Sequence, residues 1–354
     1  MRIIAAVLFS AFAASAAFAQ DVLGYASVDD IPETEITNLP FTITASGFYF
    51  LKTNLTLDTP GVDGIVVKAN MVGIDCFGFS IQGPGEGSGH GVVQSPTNRL
   101  FMLANTTLIG WRGEGKYAVY AEGGADRMEN VKSIGNSKGI FCGDSSTILS
   151  CVVQSNVVQD AGYGIDADHG SQVMDCEVSD VAGQTDGYGI RVGASSIVRG
   201  CTVRNVTGGG SCYGIYAGKV CNVVNCDVRF CRGGSDPSSG IREMGSSVVM
   251  SNVVVNNSHH GVWLAGLSRA EFNAMDHNGA AGLYVDGPDC RIEGNALVSN
   301  KWGIRTVSTG HYIVGNKAMG NEIAYEGLMV SGNVCGAISK GPTNDPKANL
   351  ELWQ

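Results

Sequence analysis

Asp166, Asp168 and His169 fall within four residues of one another, and Arg191 and Arg242 follow at glycine-led positions farther along the chain. Two carboxyls two apart on one strand lie roughly 6.5–7 Å apart at Cα. That is compatible with the acid and base, or acid and nucleophile, of a glycosidase, which sit about 5–9.5 Å apart. The same set also fits a lyase. His169 would act as the base beside a uronate carboxylate, and Arg191 or Arg242 would neutralise that carboxylate. A third use is Ca²⁺, a hard cation that takes oxygen ligands, held by Asp166 and Asp168; no other cofactor is called for. Against all three stands the plain reading of a solvated surface or a weak Asp–Arg pair. No HExxH, CxxC or nucleophile-elbow pattern is present, so zinc, redox and serine-hydrolase chemistry have no sequence signal.

These residues need a scaffold, and the sequence supplies a repeat. A Gly-apolar pair returns with its apolar member at Ile65, Val92, Ile140, Ile165, Ile190, Ile215, Ile241, Val262, Leu283 and Ile304; Ala118-Val119 fills the one gap. Intervals of 21 to 27 residues signal a solenoid. Eleven residues after Ile140, Ile165, Ile190 and Ile215 stand Cys151, Cys176, Cys201 and Cys226, and after Ile241 and Val262 stand Asn252 and Asn273. Identical amides stacked at the strand spacing of about 4.8 Å can bond one another in ladders, and Cys fits the same slot as a small apolar substitute. Five positions before this column runs a second polar one, Ser146, Ser171, Ser196, Cys221 and Ser247. A leucine-rich repeat would need apolar residues there.

Repeats such as YGIRVGASSIVRGCTVRNV resemble the right-handed parallel β-helix repeat proteins of the pectate-lyase-like superfamily. The resemblance covers about residues 61–320 and implies an all-β, single-stranded parallel β-helix of about 11 coils with caps at both ends. Residues 20–60 are the expected N-terminal cap, in which Phe41–Thr44 and Phe48–Thr53 read as a hairpin over the open edge. Residues 321–354 are the expected C-terminal cap, broken by Gly341-Pro342 and Asp345-Pro346. The fold hosts many activities and does not name one.

Alternation along each strand turns the residue after the repeat apolar position outward. From Tyr120 this column is Tyr120, Phe141, Asp166, Arg191, Tyr216, Arg242, Trp263, Tyr284 and Arg305. Tyr120, Phe141, Tyr216, Trp263, Tyr284 and Arg305 are the expected substrate-binding residues, since ring faces stack on sugars and Arg forks bind carboxylate. Tyr117, Tyr163, Tyr188, Tyr213, Trp302, His90 and His260 form a second set just before the repeat glycines. The same aromatics can serve simply as cross-strand stabilisers. The longer coils beginning at Ile140 place extra residues before the next glycine, expected as a wall beside the stripe's middle. Glu243 falls at an inward position, where it needs a bulge or a partner such as Arg242.

Charged residues are only 16% of the chain and the net charge is −10, which disfavours a nucleic-acid partner. Met1–Ala19, with Arg2, an apolar run and Ala17-Phe18-Ala19, reads as a secretory signal, so the chain is expected to be exported to the periplasm or beyond. No later stretch is apolar enough to span a bilayer. Cys212 and Cys231 lie in successive loops before repeat glycines and are expected to be able to pair. Two functions follow as expectations. One is an enzyme, lyase or glycoside hydrolase, acting on a polysaccharide along the stripe. The other is a non-catalytic saccharide-binding or structural solenoid at the cell surface or in the periplasm.

Overall fold

The computed structural model describes residues 33–234, 237–327, 333–340, 345 and 347–352; the expected signal segment lies outside them. The described chain is built of strands and contains no helix. One turn runs from Gly187–Val192 through Ile197–Arg199 to Thr202–Gly208, and the next begins at Cys212–Ala217. Thirteen strands, from Phe41–Ile43 to Ile323–Glu326, stack in parallel as one sheet. The remaining strands of each turn form a 28-stranded sheet that wraps the other sides. The result is an all-β parallel solenoid of about twelve turns.

The Gly-apolar repeat is the register of the first sheet. Ile165, Ile190, Ile215 and Ile241 are successive Cα partners, and all four are fully buried. Two strands escape the eleven-fold repeat because neither carries the Gly-apolar pair: Phe41 pairs with Ile65, and Tyr325 with Ile304. The expected N-terminal hairpin is not formed. Phe41–Ile43 and Gly47–Phe50 lie in different sheets and pair in parallel with the following turn. The Ala45-Ser46 turn between them is thus a corner of the solenoid, and the ladders continue past residue 320 to Glu326.

A two-residue device recurs at three corners of the solenoid, though not in every turn: Val181 and Val206 follow left-handed Asp180 and Asn205 without a side-chain acceptor. The first residue adopts a left-handed backbone, as at Ser195, Asn225, Ser251 and Asn256, with φ of 61°, 55°, 57° and 59°. One such residue redirects an extended chain sharply, at about 1–2 kcal/mol for a residue with a Cβ. Asn and Asp tolerate it best, yet Val220, Leu267 and Phe272 occupy it too. The second residue accepts, through its side chain, the backbone N–H of its counterpart one turn earlier. At one corner Ser146 N donates to Ser171 Oγ (3.2 Å), and Ser171 N to Ser196 Oγ (3.1 Å). At the next, Cys226 N donates to Asn252 Oδ1 (2.8 Å), Asn252 N to Asn273 Oδ1 (3.0 Å) and Asn273 N to Asn295 Oδ1 (3.0 Å). At the third, Asn257, Asn278, Asn300 and Asn321 repeat the pattern. These N–H groups are buried where the sheet ladder breaks, so without the side chains they would have no acceptor.

The ladder cysteines occupy Asn slots as thiols. Cys151, Cys176, Cys201 and Cys226 are buried, and their sulfurs donate to carbonyls of the preceding turn. A thiol is a weaker partner than an amide. Asn273→Leu removes the acceptor of both the Asn252 N–H and the Asn252 side-chain amide. It should cost about 2–4 kcal/mol, whereas Cys201→Ala should cost only about 1 kcal/mol. Urea unfolding of the two variants measures the difference, and equal losses would contradict the acceptor role.

Candidate functional site

The sheet built on the Gly-apolar strands presents two adjacent columns to its outer face. One holds the residue after the repeat apolar position, and the other holds the residue two before it. In the second column Tyr117 is the register partner of Lys138, Tyr163 of Tyr188 and Tyr188 of Tyr213. In the first, Phe141 pairs with Asp166, Asp166 with Arg191, Arg191 with Tyr216 and Tyr216 with Arg242. Stacking therefore gathers residues about 25 apart in sequence into one patch.

The densest part of that patch is Tyr117, Lys138, Tyr163, Asp166 and Arg191. Lys138 Nζ lies 5.5 Å from the Tyr117 ring centroid and 5.2 Å from that of Tyr163, so it sits between two π-faces. It also reaches Asp160 Oδ2 at 3.6 Å. Arg191 Nη1 donates to the Tyr163 hydroxyl at 3.2 Å, and the guanidinium lies over the Tyr163 ring at 5.3 Å. Arg191 Nε is 3.2 Å from Asp166 Oδ1, an ion pair whose angle is not that of a hydrogen bond.

Asp166 points outward, as alternation requires, but it is only 4% exposed. The expectation of an open surface carboxylate is corrected here, because side chains from the neighbouring turns close over it. Burial pushes its carboxyl up to about 6, and nearby Asp168 adds to the rise; Arg191, Lys138 and a hydrogen bond from Tyr117 pull the other way. Asp168 is half-buried, and burial followed by Asp144 raises its carboxyl too. Burial likewise raises the Tyr163 phenol, against the pull of Arg191.

His169 is exposed at the corner beyond this cluster. Its Nδ1 accepts the Ala194 backbone N–H at 2.8 Å, so in the neutral ring the proton is on Nε2. That tautomer offers a donor to the surface, which argues against the base role read from sequence. Arg242 is not part of the Asp166 cluster. It lies two turns along, donating to the Tyr213 hydroxyl at 3.0 Å and stacked 3.9 Å from the Trp263 ring centroid.

The rings of the stripe are engaged with one another. Tyr120 and Phe141 stack at 4.8 Å, Tyr216 meets Tyr213 edge-on at 5.4 Å, and Trp263 meets Tyr284 edge-on at 5.3 Å. Trp263 also donates to Asp286 at 2.8 Å, and Arg305 is held by Glu326 at 2.9 Å and lies over Trp302. The loop before the Ser239 strand touches this surface, with the Pro237 carbonyl 3.4 Å from the Tyr213 hydroxyl.

Glu243 does point inward and is 1% exposed. Its partners are backbone groups rather than Arg242: Gly245 N at 2.5 Å and Ala265 N at 2.6 Å. Cys212 and Cys231 are both fully buried free thiols, with Cys212 Sγ donating to the Val206 carbonyl at 3.2 Å. Among the described residues no cluster of three or more His, Cys, Asp or Glu is arranged to hold a metal. No helix among the described residues is long and apolar enough to cross a membrane. Lys138 is the residue that sequence reading missed. Its signal is that it interrupts the tyrosine column between Tyr117 and Tyr163.

Residues 138–297 match the family described as right handed beta helix region. The matched stretch lies within the parallel all-β solenoid described above. Solved structures with a similar fold include the following. The A-module of the Azotobacter vinelandii mannuronan C-5 epimerase AlgE6 superposes with a TM-score of 0.58 at 11% identity, covering 87% of this chain and 91% of that one. The periplasmic alginate epimerase AlgG gives 0.46 at 12% identity, over 84% and 78% of the two chains. The Dettilon tailspike protein gives 0.48 at 12% identity, over 90% and 61%. No curated protein sequence matches the chain.

The burial of Asp166 is directly measurable. Its carboxyl carbon, followed by NMR, should titrate near pH 6, and Arg191→Gln should move the midpoint higher because Arg191 favours the ionised form. A midpoint near 4 in the unmodified protein would show that the carboxylate is solvated and the cluster open.

Proposed function

We propose that this chain is an exported enzyme acting on a uronic-acid polysaccharide by moving the proton on the carbon that bears the carboxylate. The observation that carries the reading is the convergence of Lys138, Tyr163, Asp166 and Arg191 on one patch of the outer sheet. Removing a proton beside a carboxylate leaves an electron pair that the carboxylate must absorb. Two cations, Lys138 and Arg191, neutralise that carboxylate and lower the cost of its enolate form. Asp166, titrating near 6, is matched to act as a base at neutral pH. Tyr163 keeps its proton, and its oxygen already accepts from Arg191, so the phenol is oriented to donate.

Two outcomes share this first step. Return of a proton to the opposite face inverts the carbon. Expulsion of the sugar oxygen on the neighbouring carbon cleaves the chain and leaves an unsaturated uronate. Glycoside hydrolysis fits less well, because it makes no use of the two cations, Lys138 and Arg191, gathered beside the carboxyl. The fold-level likeness to a protein named mannuronan C-5 epimerase is compatible with a uronan substrate and with chemistry at that carbon. Export follows from the Met1–Ala19 segment read as a signal.

The test is deuterium exchange in D₂O. Mannuronan, guluronan and galacturonan are incubated with the protein, exchange at C-5 is read by NMR, and unsaturated product is read by absorbance. Exchange should rise with pH through about 6, following ionisation of Asp166. Tyr163→Phe and Asp166→Asn should each lower the rate about 100-fold or more. Retention of a uronan with no exchange and no cleavage would instead identify a non-catalytic binder.

A further inference from the structure

The Tyr163–Arg191 pair has a copy. Arg242 Nη1 donates to the Tyr213 hydroxyl at 3.0 Å, as Arg191 Nη1 donates to Tyr163 at 3.2 Å. Each guanidinium lies over the ring of its own tyrosine, at 5.5 Å and 5.3 Å. The register makes the offset definite. Tyr163 leads to Tyr213 through Tyr188, and Arg191 leads to Arg242 through Tyr216, so both steps are two turns. Two strand spacings amount to about 9.6 Å along the rod.

What surrounds the copy differs. One turn before Arg191 stands Asp166, whereas one turn before Arg242 stands Tyr216. One turn before Tyr213 stands Tyr188, where Lys138 packs on Tyr163 at the first pair. The second pair keeps the fork and loses the carboxyl and the lysine that the first has for proton transfer. Trp263, 3.9 Å from Arg242, fixes its guanidinium from the next turn.

We infer that Tyr213 and Arg242 form a second carboxylate-holding subsite, and that the substrate is an extended polyuronate lying along the solenoid axis with alternate carboxylates on the two Tyr–Arg pairs. This rests on the uronan chemistry proposed for the first pair. A flat, equatorially linked pyranose chain advances about one strand spacing per sugar and turns its carboxylates to alternate sides. Carboxylates on the protein-facing side therefore recur after two sugars, the spacing of the two guanidiniums. Arg305 does not extend the series, being three turns beyond Arg242 and held by Glu326.

Oligouronates of two to six residues, titrated by calorimetry into the whole protein, test this without requiring turnover. Affinity should step up about tenfold once the oligomer spans both pairs, the gain of one charge-assisted fork. Arg242→Ala should abolish the step. Arg242→Lys should restore it in part, and Tyr213→Phe, which removes only the orienting hydroxyl, should weaken it. Near-UV circular dichroism confirms that each variant is folded. Affinity that climbs smoothly with length and identically in Arg242→Ala overturns the second subsite alone. Failure of every oligouronate to bind the unmodified protein overturns the uronan reading itself.

Discussion

A parallel solenoid has to turn its chain several times per coil without leaving buried amides unpaired. Here the left-handed residue makes the turn, and the side chain after it accepts the N–H that the turn strands. Asn252, Asn273 and Asn295 do this with amides, Ser171 and Ser196 with hydroxyls. Each acceptor serves the coil before it, so a coil is completed only by its successor. Stability is thereby shared between neighbours, as in other repeat architectures. Single left-handed residues as bulky as Leu267 and Phe272 are held in place by this neighbour-to-neighbour bonding.

The corners fix the flat sheet between them, and that sheet fixes the site. Because strands stack in register, one residue type per coil becomes a row of groups at the strand spacing. The outer face inherits charges and rings whose neighbours lie a turn away rather than beside them in the chain. Tyr117, Lys138, Tyr163, Asp166 and Arg191 come from four successive coils and still form one network. Such a surface resists collapse, since the backbone beneath it is bonded on both sides. A buried carboxyl with a raised pKa and fixed cations nearby are then natural consequences of stacking.

Much of this was legible in the residues. The Gly-apolar period gave the inward column, and the Cys/Asn and Ser columns gave two of the three corners. The third corner was hidden because Val181, Val206 and Cys231 interrupt its asparagines between Asn156 and Asn257. Alternation placed Asp166 outward correctly, yet outward proved different from exposed, since covering side chains come from other coils. Lys138 was passed over because its column was read for aromatic and histidine members alone. The aromatic stripe was found, but sequence shows which rings are present and not which faces remain open. Between coils, several of these rings meet neighbouring rings and guanidiniums.

The central claim is that these stacked cations and phenols receive a sugar carboxylate. A crystal structure of the protein with a uronan oligosaccharide examines it most directly. The account predicts a carboxylate within hydrogen-bond distance of Arg191 or Lys138, with the adjoining carbon facing Asp166 or Tyr163. A sugar chain lodged on another face, or crossing this one with its carboxylates turned to solvent, would contradict it.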